Sequence, residues 1–143
     1  MASIPRWLTI ICVVALLAAC SSSTTAPTSP AAAPAGADVL LQVIGPNGTR
    51  GFSLKDLQAL PTTTITVEGK SEDGPAVLEV LKAAGITDFK EVTISGSGSV
   101  TLSKEQVTAE VIFDFTNRGT VKFAATHIDK ATWPKDITRI EVK

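Results

Sequence analysis

Very few side chains in this chain can do chemistry, and their positions limit what that chemistry can be. Cys20 ends the tetrad Leu17-Ala18-Ala19-Cys20, directly after an apolar run that also holds Cys12, the other of the two cysteines. A thiol placed there can be alkylated, bound to metal or oxidised, and the residues around it decide which. His127 is the single histidine, so a histidine-rich metal site is excluded, and general-base work by its imidazole requires a partner such as Asp129 or, across a hairpin, Asp114. The simpler reading is a solvated histidine at a strand end. Glu68, Glu72 and Asp73 offer hard oxygen donors of the kind calcium takes, but their spacing fits no cation-loop motif, and solvated turn charges are the alternative. Trp133 beside Pro134 is a candidate wall for a ligand pocket or partner surface, and equally a core or lid residue, because an indole buries so much apolar area. Gly96-Ser97-Gly98-Ser99 has neither the lysine nor the following helix of a phosphate loop and reads as a plain turn.

The run around Cys20 has its own logic. Arg6 gives a positive start, Trp7 to Ala19 is apolar but for Thr9, and the exit is built of small residues. Such a run is shorter than the roughly 20 apolar residues that span a bilayer, and its layout is that of a secretory signal. The tetrad at its end resembles the lipobox of bacterial lipoproteins. That resemblance implies cleavage between Ala19 and Cys20, diacylglycerol on the Cys20 thiol, and a protein held on the extracytoplasmic side of a membrane in the cell envelope. Because each buried CH₂ contributes about 0.8 kcal/mol, two acyl chains suffice for stable anchoring where one does not. Cys12 leaves with residues 1–19, so no disulfide, thiolate metal site or cysteine nucleophile remains for the mature domain.

Residues 20–37 carry the lipidated cysteine and a tract of Ser, Thr, Ala, Pro and Gly without charge or large apolar side chains. Such a tract cannot bury a core and serves as a spacer. Residues 38–143 are enough for one compact domain. Arg6 is the only basic residue before Asp38, so the domain sets 12 of the 13 basic residues against all 14 acidic ones. With a slightly acidic balance and no basic stripe, nucleic acid is not an expected partner. The partners expected are the membrane, through the lipid, and either an envelope protein or a small ligand.

Positioning elements follow from the pattern of residues 38–143. Val39 to Ile44 reads as a buried strand, reversed at Gly45-Pro46-Asn47-Gly48 into a short strand ending at Phe52. Ser53 suits the N-cap of a helix carrying Leu54, Leu57 and Leu60, closed by Pro61. Thr62 to Glu68 alternates as a half-buried strand, and Gly69 to Gly74 reads as a polar turn. Pro75 is placed to open a helix with Val77, Val80, Leu81 and Ala84 on one face, capped by Gly85. Glu91 to Ser95 and Val100 to Leu102 are strands flanking the Gly96 to Ser99 turn, and Ser103 with Gln106 has capping-box spacing. Val111, Phe113 and Phe115 share a strand face, Asn117-Arg118-Gly119 turns the chain, and Val121, Phe123 and Ala125 share the face of the next strand. Asp136 to Val142 is a final strand. Hairpin-linked strands with two short helices predict an α+β fold with a mainly antiparallel sheet.

Phe52 to Pro61, the Thr-rich strand after it, Val77 to Ile86, and Ile137 to Val142 together resemble the molybdopterin-binding domain of sulfite-oxidase-type oxidoreductases. The resemblance implies that fold, and in the family a cysteine between the Thr-rich strand and the next helix attaches molybdenum. Here that interval, Glu68 to Pro75, has no cysteine, and a soft thiolate is the donor such a metal wants. Between Thr126 and the last strand the family has a longer segment framing the cofactor, where this chain has only His127 to Lys135. The expectation is therefore no cofactor, no catalytic residue, and a binding or interaction module, with His127, Asp129 and Trp133 as ligand or partner candidates. An oxidoreductase or oxidoreductase subunit retaining a molybdopterin-type cofactor is the alternative.

A first prediction concerns Cys20. Cys20→Ser should abolish incorporation of labelled fatty acid and move the protein from the membrane to the soluble extracytoplasmic fraction, which fractionation and gel mobility will show. Cys12→Ser should change neither.

Overall fold

The alternation and capping signals become regular structure over residues 38–143, the part of the chain described by the structure, a computed structural model. The expected signal 1–19, the expected lipidation site Cys20 and the expected linker to residue 37 lie outside the described residues.

Chain order is β1 (Leu41–Gly45), β2 (Gly48–Phe52), α1 (Leu54–Gln58), β3 (Thr62–Val67), β4 (Lys70–Pro75), α2 (Val77–Ala83), β5 (Glu91–Ser95), β6 (Ser99–Ser103), β7 (Val111–Phe115), β8 (Val121–Ala125) and β9 (Arg139–Val142). Short 3₁₀ turns occupy Lys104–Gln106 and Lys130–Thr132. A five-stranded sheet has the order β2-β1-β9-β5-β6. Its hairpins are antiparallel and β1 pairs with β9 in parallel, so the sheet is mixed. The fold is α+β with two short helices, as the pattern predicts; the parallel pair is the departure, because it joins the first and last strands and leaves no local trace.

The hairpins β3-β4 and β7-β8 form the second layer. They meet along β4 and β7, through a bridge between Ala76 and Ile112 and a bond from the Asp73 amide to the Asp114 carboxylate (3.2 Å). Residues 134–137 run beside β8, the Phe123 amide donating to the Pro134 carbonyl (3.1 Å) and the Ile137 amide to the Val121 carbonyl (2.8 Å), before the chain enters β9. That crossing ties the two layers together.

Between them lies one apolar cluster that includes Leu41, Val43, Leu57, Val77, Val80, Leu81, Ile94, Phe113, Phe123 and Ile140. Full burial of such side chains contributes about 1.5–3 kcal/mol each. Helix α1 is fixed by a complete capping box: the Ser53 hydroxyl accepts from the Asp56 amide (3.2 Å), and the Asp56 carboxylate accepts from the Ser53 amide (2.9 Å). Helix α2 buries Val77, Val80 and Leu81 at helical spacing and ends at the C-cap Ala84, followed by Gly85 at positive φ (79°).

Two sequence expectations are corrected here. Gly69 to Gly74 is not a polar turn: the turn is Glu68-Gly69 alone, both with positive φ (52° and 77°), and Lys70–Pro75 is strand β4. Pro75 accordingly ends a strand opposite Thr62, and Ala76 is the N-cap of α2. Intrinsic β-propensity in Lys-Ser-Glu-Asp-Gly-Pro is low, so partners on both sides hold this strand. Thr64 donates to Asp73 (2.6 Å) on one side, and Lys122 holds Glu72 (2.7 Å) on the other. At Gly74 the β7 backbone comes so close that a Cβ would stand 1.8 Å from the Phe113 carbonyl oxygen.

Gly74→Ala should therefore force β4 and β7 apart at a cost of about 3 kcal/mol or more, the upper range for overpacking against unyielding atoms. Gly98→Ala, whose Cβ would meet only Pro134 at 4.0 Å, should stay within about 0.5 kcal/mol of wild type. Urea unfolding followed by tryptophan fluorescence measures both.

Candidate functional site

Strand β4 aims Glu72 inward, where it is the one buried charged residue of the described chain at 7% exposure. The charge is answered from β8. Lys122 reaches Glu72 at 2.7 Å and Asp114 at 3.0 Å, and Asp114 is its cross-strand partner on β7. Asp114 also accepts from the Asp73 amide, so one lysine and two carboxylates close the seam between the two hairpins. Burial alone would pull the Lys122 ammonium down in pKa. Hydrogen bonds to Glu72 and Asp114, with their charges, outweigh it and hold Lys122 above its ordinary value of 10.5.

This seam is the floor of a cleft of about 440 Å³ lined by Lys70, Ser71, Glu72, Lys122, Phe123, Lys130, Trp133 and Lys135. Each lysine arrives by a different route. Lys70 opens β4 straight after the Glu68-Gly69 turn, on the same strand face as Glu72, two residues on. Lys130 sits in the 3₁₀ turn capped by Asp129, whose carboxylate accepts from the Ala131 amide (2.9 Å). Lys135 is held through its backbone by the turn between β5 and β6: its amide donates to the Ser97 hydroxyl (3.0 Å), and its carbonyl accepts from the Ser97 amide (2.7 Å). Gly96 permits this approach, since a Cβ there would stand 2.3 Å from the Lys135 carbonyl oxygen.

Trp133 forms one wall. It is only 8% exposed, its indole N–H donates to the Ile128 carbonyl (3.0 Å), and it meets Phe123 edge to face with centroids 6.3 Å apart. The Lys130 ammonium stands 5.7 Å from its ring centroid, within cation–π range, and 3.6 Å from Glu68. Trp133 is thus both core and pocket wall, which joins the two readings its sequence position left open.

His127 and Asp129 lie next door. Both line a second depression, also about 440 Å³, which Thr66, Glu68, Thr126 and Lys130 help to enclose. His127 is exposed, and the two acids offered as its partners are engaged elsewhere, Asp129 on its own turn and Asp114 on Lys122. No base–carboxylate pair is assembled at the histidine. Glu68, Glu72 and Asp73 do not converge either: Glu68 faces Lys130, Glu72 points to Lys122, and Asp73 leaves the opposite face of β4 toward Thr64. Among the described residues no cluster of His, Cys, Asp or Glu is disposed to hold a metal. The donor set of β4 does not fit attachment of molybdenum, since its one inward carboxylate is spent on a lysine and no sulfur is at hand.

Lys70, Lys122, Lys130 and Lys135 were not singled out by the sequence. A signal for one pair exists: with the turn centred on Arg118, Asp114 and Lys122 fall opposite each other. Nothing local marks the other three.

Removing the lysine from the seam should be costly. Lys122→Met leaves Glu72 buried without a counter-charge and should lose about 2–4 kcal/mol, whereas Glu72→Gln combined with Lys122→Met should lose clearly less than the two single changes added together. The raised pKa means that the folded chain holds this proton more tightly than the unfolded one. The stabilisation is therefore complete below the ordinary lysine range and lost as pH climbs through the higher folded value. Urea titrations at stepped alkaline pH should show that fall in wild type, with the share due to Lys122 absent from Lys122→Met.

No protein-family model matches the chain, and no curated protein matches it in sequence.

Proposed function

We propose that this protein is a lipid-tethered, non-catalytic module of the cell envelope that captures a small anionic ligand in the Trp133 cleft. Its domain is taken to be a member of the molybdopterin-oxidoreductase type that lacks the metal-binding cysteine. The observation that carries the reading is the gathering of four lysines and one indole around a single concavity. Convergent polar groups in a part-apolar cleft are the usual make-up of a ligand site. The role assigned to the tether is to keep the cleft near other envelope components, which raises the effective concentration of encounters at no cost in new contacts. A catalytic assignment finds less support: the lone imidazole is solvated, and the acids beside it are committed to structure.

Trp133 is the only tryptophan after residue 37, so its emission reports on the cleft in mature protein. Purified from its membrane in detergent, the lipoprotein should contain molybdenum far below one atom per chain and should show saturable change in Trp133 emission with at least one of a set of small anions. Molybdenum at one atom per chain would reverse the reading in favour of the oxidoreductase alternative. Emission that stays flat across the whole set would remove the ligand site.

A further inference from the structure

We infer that the cleft selects a compact, multiply charged oxyanion, a phosphoryl or diphosphoryl group, by charge and without stacking on any ring the ligand carries. This deepens the ligand reading above and rests on it.

The charge count sets the ligand class. Lining side chains bring four ammoniums and one carboxylate to the cleft, within a domain that is acidic as a whole. The four are not equivalent. Lys122 is more than neutralised, since with Glu72 and Asp114 it forms a triad of net charge −1, so any positive charge offered to a ligand comes from the other three. Among the described residues Lys70 and Lys135 have no carboxylate partner, and both are exposed. Lys130 is held only loosely, since 3.6 Å to a largely exposed Glu68 is outside hydrogen-bond range. Two free ammoniums and a third that is loosely held call for a compact ligand with two or more negative charges. Phosphoryl groups supply that density, and lysine serves them as a point charge. A single carboxylate does not.

The wall sets the second half of the inference. One side of the Trp133 ring already faces the Lys130 ammonium, the ring packs edge to face with Phe123, and its N–H is bonded to Ile128. With the indole 8% exposed, no open aromatic face is left for a base or other planar group. Recognition then falls to the ammoniums, and a ring attached to the phosphates adds little.

The test is a titration of detergent-solubilised full-length protein with inorganic pyrophosphate, adenosine diphosphate and citrate, read by Trp133 emission and calorimetry. Pyrophosphate should bind saturably, adenosine diphosphate within about threefold of it, and citrate more weakly. Lys70→Ala with Lys135→Ala should weaken pyrophosphate about tenfold or more, as loss of two charge-assisted contacts implies, while the melting temperature without ligand is unchanged because both residues are exposed and unpaired. Raising ionic strength from about 0.01 to about 0.15 M, which shortens the screening length from about 30 to about 8 Å, should weaken binding severalfold. Equal pyrophosphate affinity in the double variant overturns the inference, as does adenosine diphosphate binding far more tightly than pyrophosphate. Citrate binding through Lys70 and Lys135 where pyrophosphate does not would overturn the oxyanion class and leave the ligand cleft standing; silence with all three probes would remove both.

Discussion

Between β4 and β7 the backbones close to a distance that only a glycine at position 74 allows, and this close approach organises half of the molecule. Gly74 lies against the Phe113 carbonyl, so the two hairpins share one seam. Once they do, Glu72 is left only 7% exposed, and a buried carboxylate is costly unless it is paired. Lys122 answers it from β8 and Asp114 completes the pairing from β7. The same contact thus defines the second layer, spends the inward acid of β4, and sets the floor on which the cleft is built. Were the hairpins further apart, Glu72 would be solvated and Lys122 would be one more surface charge.

Much of this fold is legible in local sequence. Ser53 with Asp56 and Ser103 with Gln106 close capping boxes, and the apolar spacing of Val77, Val80 and Leu81 places α2. Hairpins centred on Pro46-Asn47, Gly96 to Gly98 and Asn117 to Gly119 follow from turn residues and alternation. What is not legible is non-local. Strand β4 is hidden because its residues favour turns, and the reasons it is extended, Thr64, Lys122 and the Phe113 carbonyl, lie elsewhere in the chain. The parallel pairing of β1 with β9 joins opposite ends of the domain. The lysine cleft is the extreme case: it takes one lysine each from β4, β8, a 3₁₀ turn and the segment before β9. Of the three candidates read from sequence, Trp133 lines that cleft, while His127 and Asp129 line its neighbour and share with it only Lys130.

The interval Glu68 to Pro75 is where the sequence resemblance would have put a metal-binding cysteine. In its place stands a strand whose inward side chain is a carboxylate already bonded to lysine. Hardness of the donor matters less here than its occupation: a largely buried carboxylate committed to an ammonium must break that pair before it can bind a cation. The interval therefore serves as structural support beside the lysine-lined cleft.

The distribution of charge also bears on the size of what such a cleft can hold. The domain carries more acids than bases, and Glu68 and Asp129 line the depression immediately beside the cleft. Beyond about 8 Å at physiological ionic strength, fields are screened, so the lysines attract only what comes into the concavity itself. An extended polyanion, or the anionic face of a bilayer, would have to lie across that acidic margin and would be repelled there while attracted at the centre. A compact anion meets the ammoniums and avoids the rim. The acidic surroundings thus favour small ligands over polymeric surfaces.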